Sequence, residues 1–202
     1  MTDLSSPRVV ETADIDERAH IGEGTAVWHL AQIRENARVG EECSIGRGAY
    51  IGPGVVIGNR CKVQNHALIY EPAVVEDGAF IGPGAVLTND YLPRAVTPDG
   101  ALKTADDWTS VGVLVGEGAS IGARAVCVAP VSIGRWAMVA AGAVVNRHVP
   151  DFALVAGVPA RQIRWVGHAG IPLQALGDGW FECPGTGRRY IESDGRLQEA
   201  DE

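Results

Sequence analysis

The chain has 202 residues, 46% hydrophobic and 21% charged, which suits a soluble protein of one main domain with a buried core. A formal net charge of -8 argues against nucleic acid and anionic membrane as partners. The first residues lack an apolar signal region and no apolar run is long enough to span a bilayer, so a cytoplasmic protein is expected.

Residues 1–8 read as a loosely held leader, and Val9 opens a weak first unit. From Ile15 to Leu87 an aliphatic residue then returns at every sixth position without a slip, through Ile21, Val27, Ile33, Val39, Ile45, Ile51, Ile57, Val63, Ile69, Val75 and Ile81. Small residues such as Ala31, Ala37, Cys43, Ala49, Cys61 and Ala67 follow four places after most beats. A period of six fits neither a helix nor a simple strand pair. It fits two-residue strands joined by tight turns, the beat and the small residue pointing inward, in a solenoid of parallel strands. Three units make one triangular coil, so Ile15 should stack under Ile33, Ile51, Ile69 and Leu87. Trp28 and His29 replace the usual turn residues and read as packing groups, against a neighbouring subunit or the leader.

After Leu87 the beat is lost until Val115, and the polar stretch 88–113 reads as a long active-site loop able to reach a neighbouring subunit. Ile121, Cys127, Ile133, Val139 and Val145 resume the period, and Pro150-Asp151-Phe152 closes the prism. The prism domain thus spans 9–162. Residues 163–202 form a separate tail in which Trp180–Cys183, Arg188–Glu192 and Arg196–Gln198 are expected to make a small β-meander. Cys183-Pro184 looks like half of a zinc ribbon, but its partner pair is absent. With no Cys-x-x-Cys in the chain, neither a zinc site nor a disulfide framework is supported, and no metal is expected.

A step of eighteen residues places Glu71 beneath Asn89 and Tyr70 beneath Thr88. Gln64, Asn65 and His66 occupy the turn just before. These polar residues are expected to gather at the mouth of the long loop. An assembly interface that happens to be polar is the alternative reading.

The six-residue pattern resembles the hexapeptide-repeat acyltransferases, which implies an all-β, left-handed parallel β-helix working as a homotrimer. That hand comes from the resemblance, since crossovers are otherwise right-handed. Lys62-Val63-Gln64-Asn65, Ile69-Tyr70-Glu71 and Thr88-Asn89-Asp90-Tyr91-Leu92-Pro93-Arg94 are similar to the signature of the nucleotide-sugar 3-N-acetyltransferases, and Gly157-Val158-Pro159-Ala160-Arg161 to a segment shared more widely. The likeness covers residues 9–165. It implies a nucleotide-linked amino sugar as acceptor and acetyl-CoA as acyl donor, with Asn89 beside the acceptor amine and Tyr70, Glu71 and Arg94 lining the sugar-nucleotide pocket. His66 stands where the family commonly has a second Asn, and Asp90 and Leu92 where Val and Asn are usual, which leaves the acceptor open.

The chemistry needs a neutral amine, a donor for the oxyanion and close positioning, because thiolate leaves readily. Asn89 is expected to orient the amine and Glu71 or His66 to take its proton, with Gln64, Asn65, Tyr70, Thr88 and Arg94 binding substrate. Ala123, Ala141, Gly142 and Gly157 present little side chain to a pantetheine arm, and Arg161 and Arg164 suit its phosphates. Rival readings are a γ-carbonic-anhydrase-like metalloenzyme, for which the five histidines lack the H-x4-H spacing, and a non-catalytic scaffold or sugar-binding protein.

Overall fold

The computed structural model describes residues 6–200, so most of the expected leader lies outside the described residues. Two-residue strands wind into three parallel sheets, the faces of a prism. Lys62–Val63 belongs to the first face, Leu68–Ile69 to the second and Val74–Val75 to the third. Neighbours in each sheet are offset by eighteen residues, and the expected column Ile15, Ile33, Ile51, Ile69, Leu87 is present pair by pair. At the long loop the offset jumps to forty, pairing Val74 with Leu114 and Leu87 with Cys127, so the solenoid continues as if the loop were absent. This is the parallel β-helix of six-residue units that the periodicity leads one to expect.

The core follows from the alternation of side chains along each short strand. Beat residues from Val27 to Leu87 are at most 2% exposed, so the interior is a continuous dry stack. Fully burying each such side chain contributes about 1.5–3 kcal/mol. Ile15 and Ile21 are only half-buried and Val9 is exposed, so the first coil is an open end. Thr25 is the one buried polar residue of the core among the described residues. Its hydroxyl donates to the Gly40 carbonyl at 2.7 Å and accepts the Cys43 N–H at 2.9 Å.

One turn slot in most repeats is left-handed, at Leu30, Asn36, Glu42, Arg60 and His66 with φ of 54 to 59°, and at Gly48, Gly54 and Gly84 elsewhere. A second slot carries an Asx ladder. The Oδ1 atoms of Asn59, Asn65 and Asp77 accept the backbone N–H of Glu41, Arg47 and Asn59, each one coil below, at 2.8 to 2.9 Å.

At the far end Ala153–Ala156 adds to the first face, and Arg161–Trp165 folds back antiparallel upon it. The meander that follows has four strands rather than three. Gln174–Gly177 precedes Trp180–Glu182, Arg189–Ser193 and Arg196–Glu199. The first strand escaped notice because all four of its residues are exposed and its pattern does not alternate. Buried Phe152, Trp136, His168 and buried Tyr190 stack together where the tail meets the prism, with the Trp136 and His168 rings 4.6 Å apart.

Candidate active site

The three edges of the prism sort the expected site residues. Turns from first to second face carry Gln64–Ala67, Gly82–Ala85, Gly122–Ala125 and Ala140–Ala143. Turns from second to third face carry Tyr70–Ala73 and, one coil on, the long loop. The single polar cluster expected at the loop mouth is therefore divided. Tyr70, Glu71, Thr88 and Asn89 share the second-to-third edge, while Gln64, Asn65 and His66 sit on the first-to-second edge with the strand Leu68–Ile69 between them. Six residues of chain turn one corner of the prism, so adjacency in sequence put them on different edges.

The second-to-third edge is tied together by the neck of the loop. Val111 N–H donates to the Asn89 carbonyl at 3.0 Å, Ser110 Oγ donates to the Glu71 carbonyl at 3.2 Å, and Tyr70 N–H donates to the Leu87 carbonyl at 3.2 Å. A Cβ on Gly112 would lie 2.8 Å from the Pro72 carbonyl oxygen, so the returning chain presses directly on this turn. The Glu71 carboxylate lies back over the coil below, where a Cβ on Gly52 would come within 2.6 Å of Oε2. That oxygen is buried and has no hydrogen-bond partner, the one such side-chain atom among the described residues. Buried acceptors are normally satisfied; here the residue one coil below is Pro53, which has no N–H to donate as the ladder residues do. Below it the Tyr70 and Tyr50 rings sit 5.1 Å apart. Burial, and then the nearby Glu71 charge, push the Tyr50 hydroxyl above its ordinary pKa. The sequence reading passed over Tyr50, which occupies an outward strand position; the column of eighteen is the signal that finds it.

Two expected ligands have structural partners instead. Thr88 Oγ1 accepts the Ala129 N–H at 3.0 Å, fixing where the loop leaves, and Asn65 Oδ1 is occupied by the ladder. His66 is exposed in a left-handed turn slot with its ring over Gly48. Arg94 stands well out on the loop, its Nη1 donating to the Pro93 carbonyl at 3.0 Å. The loop itself is ordered by an antiparallel bridge between Val96 and Leu102 and by a short 3-10 helix, Ala105–Asp107. It holds Tyr91, Leu92 and Leu102 64%, 73% and 78% exposed, too much apolar surface for a segment with no partner.

The residues expected to meet the acyl donor lie along the first-to-second edge, above His66. Gly142 N–H donates to the Ala123 carbonyl and Val144 N–H to the Gly157 carbonyl, so Ala123, Ala141, Gly142 and Gly157 form one smooth lane. Gly142 and Gly157 hold φ of 69° and 96°, which favours glycine there. Arg161 and Arg164 are exposed on the strand at the end of this lane, neither paired with a carboxylate among the described residues. A lane of backbone that ends at two guanidiniums without a carboxylate partner, that of Arg161 donating to the Ala160 carbonyl at 2.8 Å, fits a pantetheine chain and its phosphates.

Cys43 and Cys61 lie against each other in the core, and the hydrogen bond with Cys61 lowers the Cys43 thiol to about 7. Burial pushes Cys127 up to about 12, and the adjacent Cys43 thiol with burial raises Cys61.

Comparison with known proteins bears on the repeat and the fold. The bacterial transferase hexapeptide (six repeats) model matches residues 18–53 and 54–89, and that for the hexapeptide repeat of succinyl-transferase matches 36–71 and 112–147. Together they cover just over half of the chain and skip the loop. Over 86 residues the chain is 43% identical to the dTDP-3-amino-3,6-dideoxy-alpha-D-galactopyranose 3-N-acetyltransferase of Aneurinibacillus thermoaerophilus, a stretch covering 43% of this chain and 44% of that protein. The chain therefore aligns with less than half the length of this curated relative. Among solved structures, WeeI from Acinetobacter baumannii superposes with a TM-score of 0.51 at 25% identity, over 76% of this chain and 56% of that one. LpxA, a UDP-N-acetylglucosamine acyltransferase from Bacteroides fragilis, shares the fold with a TM-score of 0.64 at 14% identity, over 79% and 61% of the two chains. The chain belongs to the hexapeptide-repeat transferases.

Proposed function

We propose that this protein transfers the acetyl group of acetyl-CoA to the amino group, at C3, of a nucleotide-linked sugar, and that it does so as a cytoplasmic homotrimer. The observation that carries the reading is the buried, unpartnered Glu71 oxygen at the root of the loop, the acceptor an incoming amine requires. Similarity to a 3-N-acetyltransferase that acts on a dTDP-3-amino sugar supports the substrate class. Division of the site between two edges supports the assembly, because Glu71 and Asn89 of one copy then meet the Gln64–His66 edge of the next. The exposed apolar loop, together with Val56, Val74 and Leu114 exposed in one column of the third face, supplies surface for that contact.

In this account the acceptor enters as its ammonium form, attracted by Glu71, and Glu71 takes one proton so that the nitrogen lone pair is free to attack the thioester carbonyl. Asn89 holds the amine in line, a backbone N–H meets the oxyanion, and coenzyme A leaves as the thiolate, which takes up the second proton that the nitrogen gives up as the amide forms. Tyr70 and Tyr50 form an aromatic wall beside the sugar. Thiol release from acetyl-CoA in the presence of UDP- and dTDP-linked 3-amino sugars tests the reading. Release with at least one of them, lost in Asn89→Ala, is expected; no release with any would leave a scaffold or a sugar-binding protein.

A further inference from the structure

Tyr50 belongs to none of the motifs read from the sequence and sits at an outward strand position of the second face. The slot beside it is unusual. At the residue that follows each strand of that face, the chain carries Asp16, Arg34, Tyr70, Thr88, Val128 and Asn146, and glycine only at Gly52. Gly52 is not among the left-handed glycines, so the backbone does not call for glycine there. What it supplies is room. The Glu71 carboxylate folds into this slot, with Oε2 2.6 Å from where a Gly52 Cβ would lie, and Arg34 occupies the same slot one coil below. The Arg34 Nε and Nη2 donate to Glu35 at 2.9 and 3.2 Å. The same guanidinium stands at the Tyr50 hydroxyl, and Glu71 is the carboxylate whose charge bears most on that hydroxyl.

Resting on the reading of Glu71 as the group that takes the amine's proton, we propose that Tyr50 is a positioning residue. Presented by Arg34, its hydroxyl donates to the Glu71 carboxylate once the acceptor is bound and fixes the direction in which that carboxylate faces the amine. A guanidinium carries donors only, so the hydroxyl accepts from Arg34 and keeps its own hydrogen for another acceptor. Stacking on Tyr70, with ring centroids 5.1 Å apart, holds the phenol against the residue that precedes Glu71. No backbone N–H serves the carboxylate from the coil below, because Pro53 stands there. A side-chain donor is what remains. Such a bond to a charged acceptor is strong for its kind, and a phenol already held on two sides loses little freedom in making it.

Thiol-release kinetics and an alkaline absorbance titration of the intact protein test this together. Tyr50→Phe keeps the ring and should lower kcat roughly tenfold with both KM values unchanged. In the Glu71→Gln background the same substitution should cost nothing further, because no base is left to position. Arg34→Gln should lower kcat as well, and Arg34→Lys, which keeps the charge, should retain more of it. The difference in titration between wild type and Tyr50→Phe isolates the Tyr50 hydroxyl, which burial and then the Glu71 charge push up. Its step should move to lower pH in Glu71→Gln and to higher pH in Arg34→Gln. A step that neither variant moves would overturn the arrangement, with or without an acceptor that is turned over. An equal loss in both backgrounds, or wild-type kcat in Tyr50→Phe while Glu71→Gln is slow, would overturn the positioning role and leave Glu71 as the base. Wild-type turnover in Glu71→Gln would remove the base itself. Both titration shifts without thiol release for any amino sugar would support the contact and refute the acetylation.

Discussion

Leaving a carboxylate oxygen buried without a donor costs about 1–3 kcal/mol, more when the group is charged, and proteins retain such costs mainly where function uses them. Glu71→Gln offers the same shape without the charge. Thermal denaturation should show the variant at least as stable as wild type, while turnover falls roughly 10²-fold or more, in the range expected for losing a general base. Equal turnover would remove Glu71 from the chemistry. A different cost sits at Leu30, which is exposed yet held at φ 59°. A left-handed backbone costs a non-glycine residue about 1–2 kcal/mol, partly offset by the greater freedom that glycine has in the unfolded chain. Leu30→Gly is therefore expected to raise stability by up to about 1 kcal/mol, measured as a shift in denaturation midpoint.

At the scale of the coil, what was legible was periodic. The run of beats from Ile15 to Leu87 placed every inward column correctly, because a two-residue strand leaves its inward side chain no other direction. The same periodicity could not show which edge a turn occupies relative to a loop mouth. Glu71 beneath Asn89 was readable as a difference of eighteen, whereas Asn65 and His66 seemed close to them only through sequence proximity. The Asx ladder was also hidden, because the same turn position holds Glu, Arg, Pro, Ala, Asn or Asp in different repeats. Its contribution is open to measurement at Asp77, whose carboxyl is held below its usual range by the Asn59 N–H. Asp77→Asn keeps the acceptor, as Asn59 does one coil below, and should change stability little. Asp77→Ala leaves that N–H without its partner and should cost about 1 kcal/mol.

For the whole molecule, charge and assembly make separate predictions. Arg18 holds the Asp16 carboxyl down from 3.8 to about 2. A carboxylate depressed by folding stabilises the native state above its unfolded pKa, and that contribution is lost as the pH falls from about 3.8 through about 2. Between those values the midpoint of thermal unfolding should drop, and Asp16→Asn should drop less steeply across the same interval. Division of the site across two edges predicts complementation. Glu71→Gln and His66→Ala variants that are each less active alone should regain a measurable fraction of the activity when subunits are mixed and reassembled, since in the proposed assembly some interfaces then join two intact edges. No recovery after confirmed exchange would mean that one chain carries the whole site.

The central claim is that the Glu71–Asn89 edge receives the acceptor amine, and a crystal structure of the protein with coenzyme A and a 3-amino nucleotide sugar tests it most directly. The account predicts the sugar nitrogen within hydrogen-bond reach of Glu71 Oε2, about 3 Å, with the sugar lying between two copies of the chain. A nitrogen bound elsewhere, with Glu71 Oε2 still touching nothing, would contradict it.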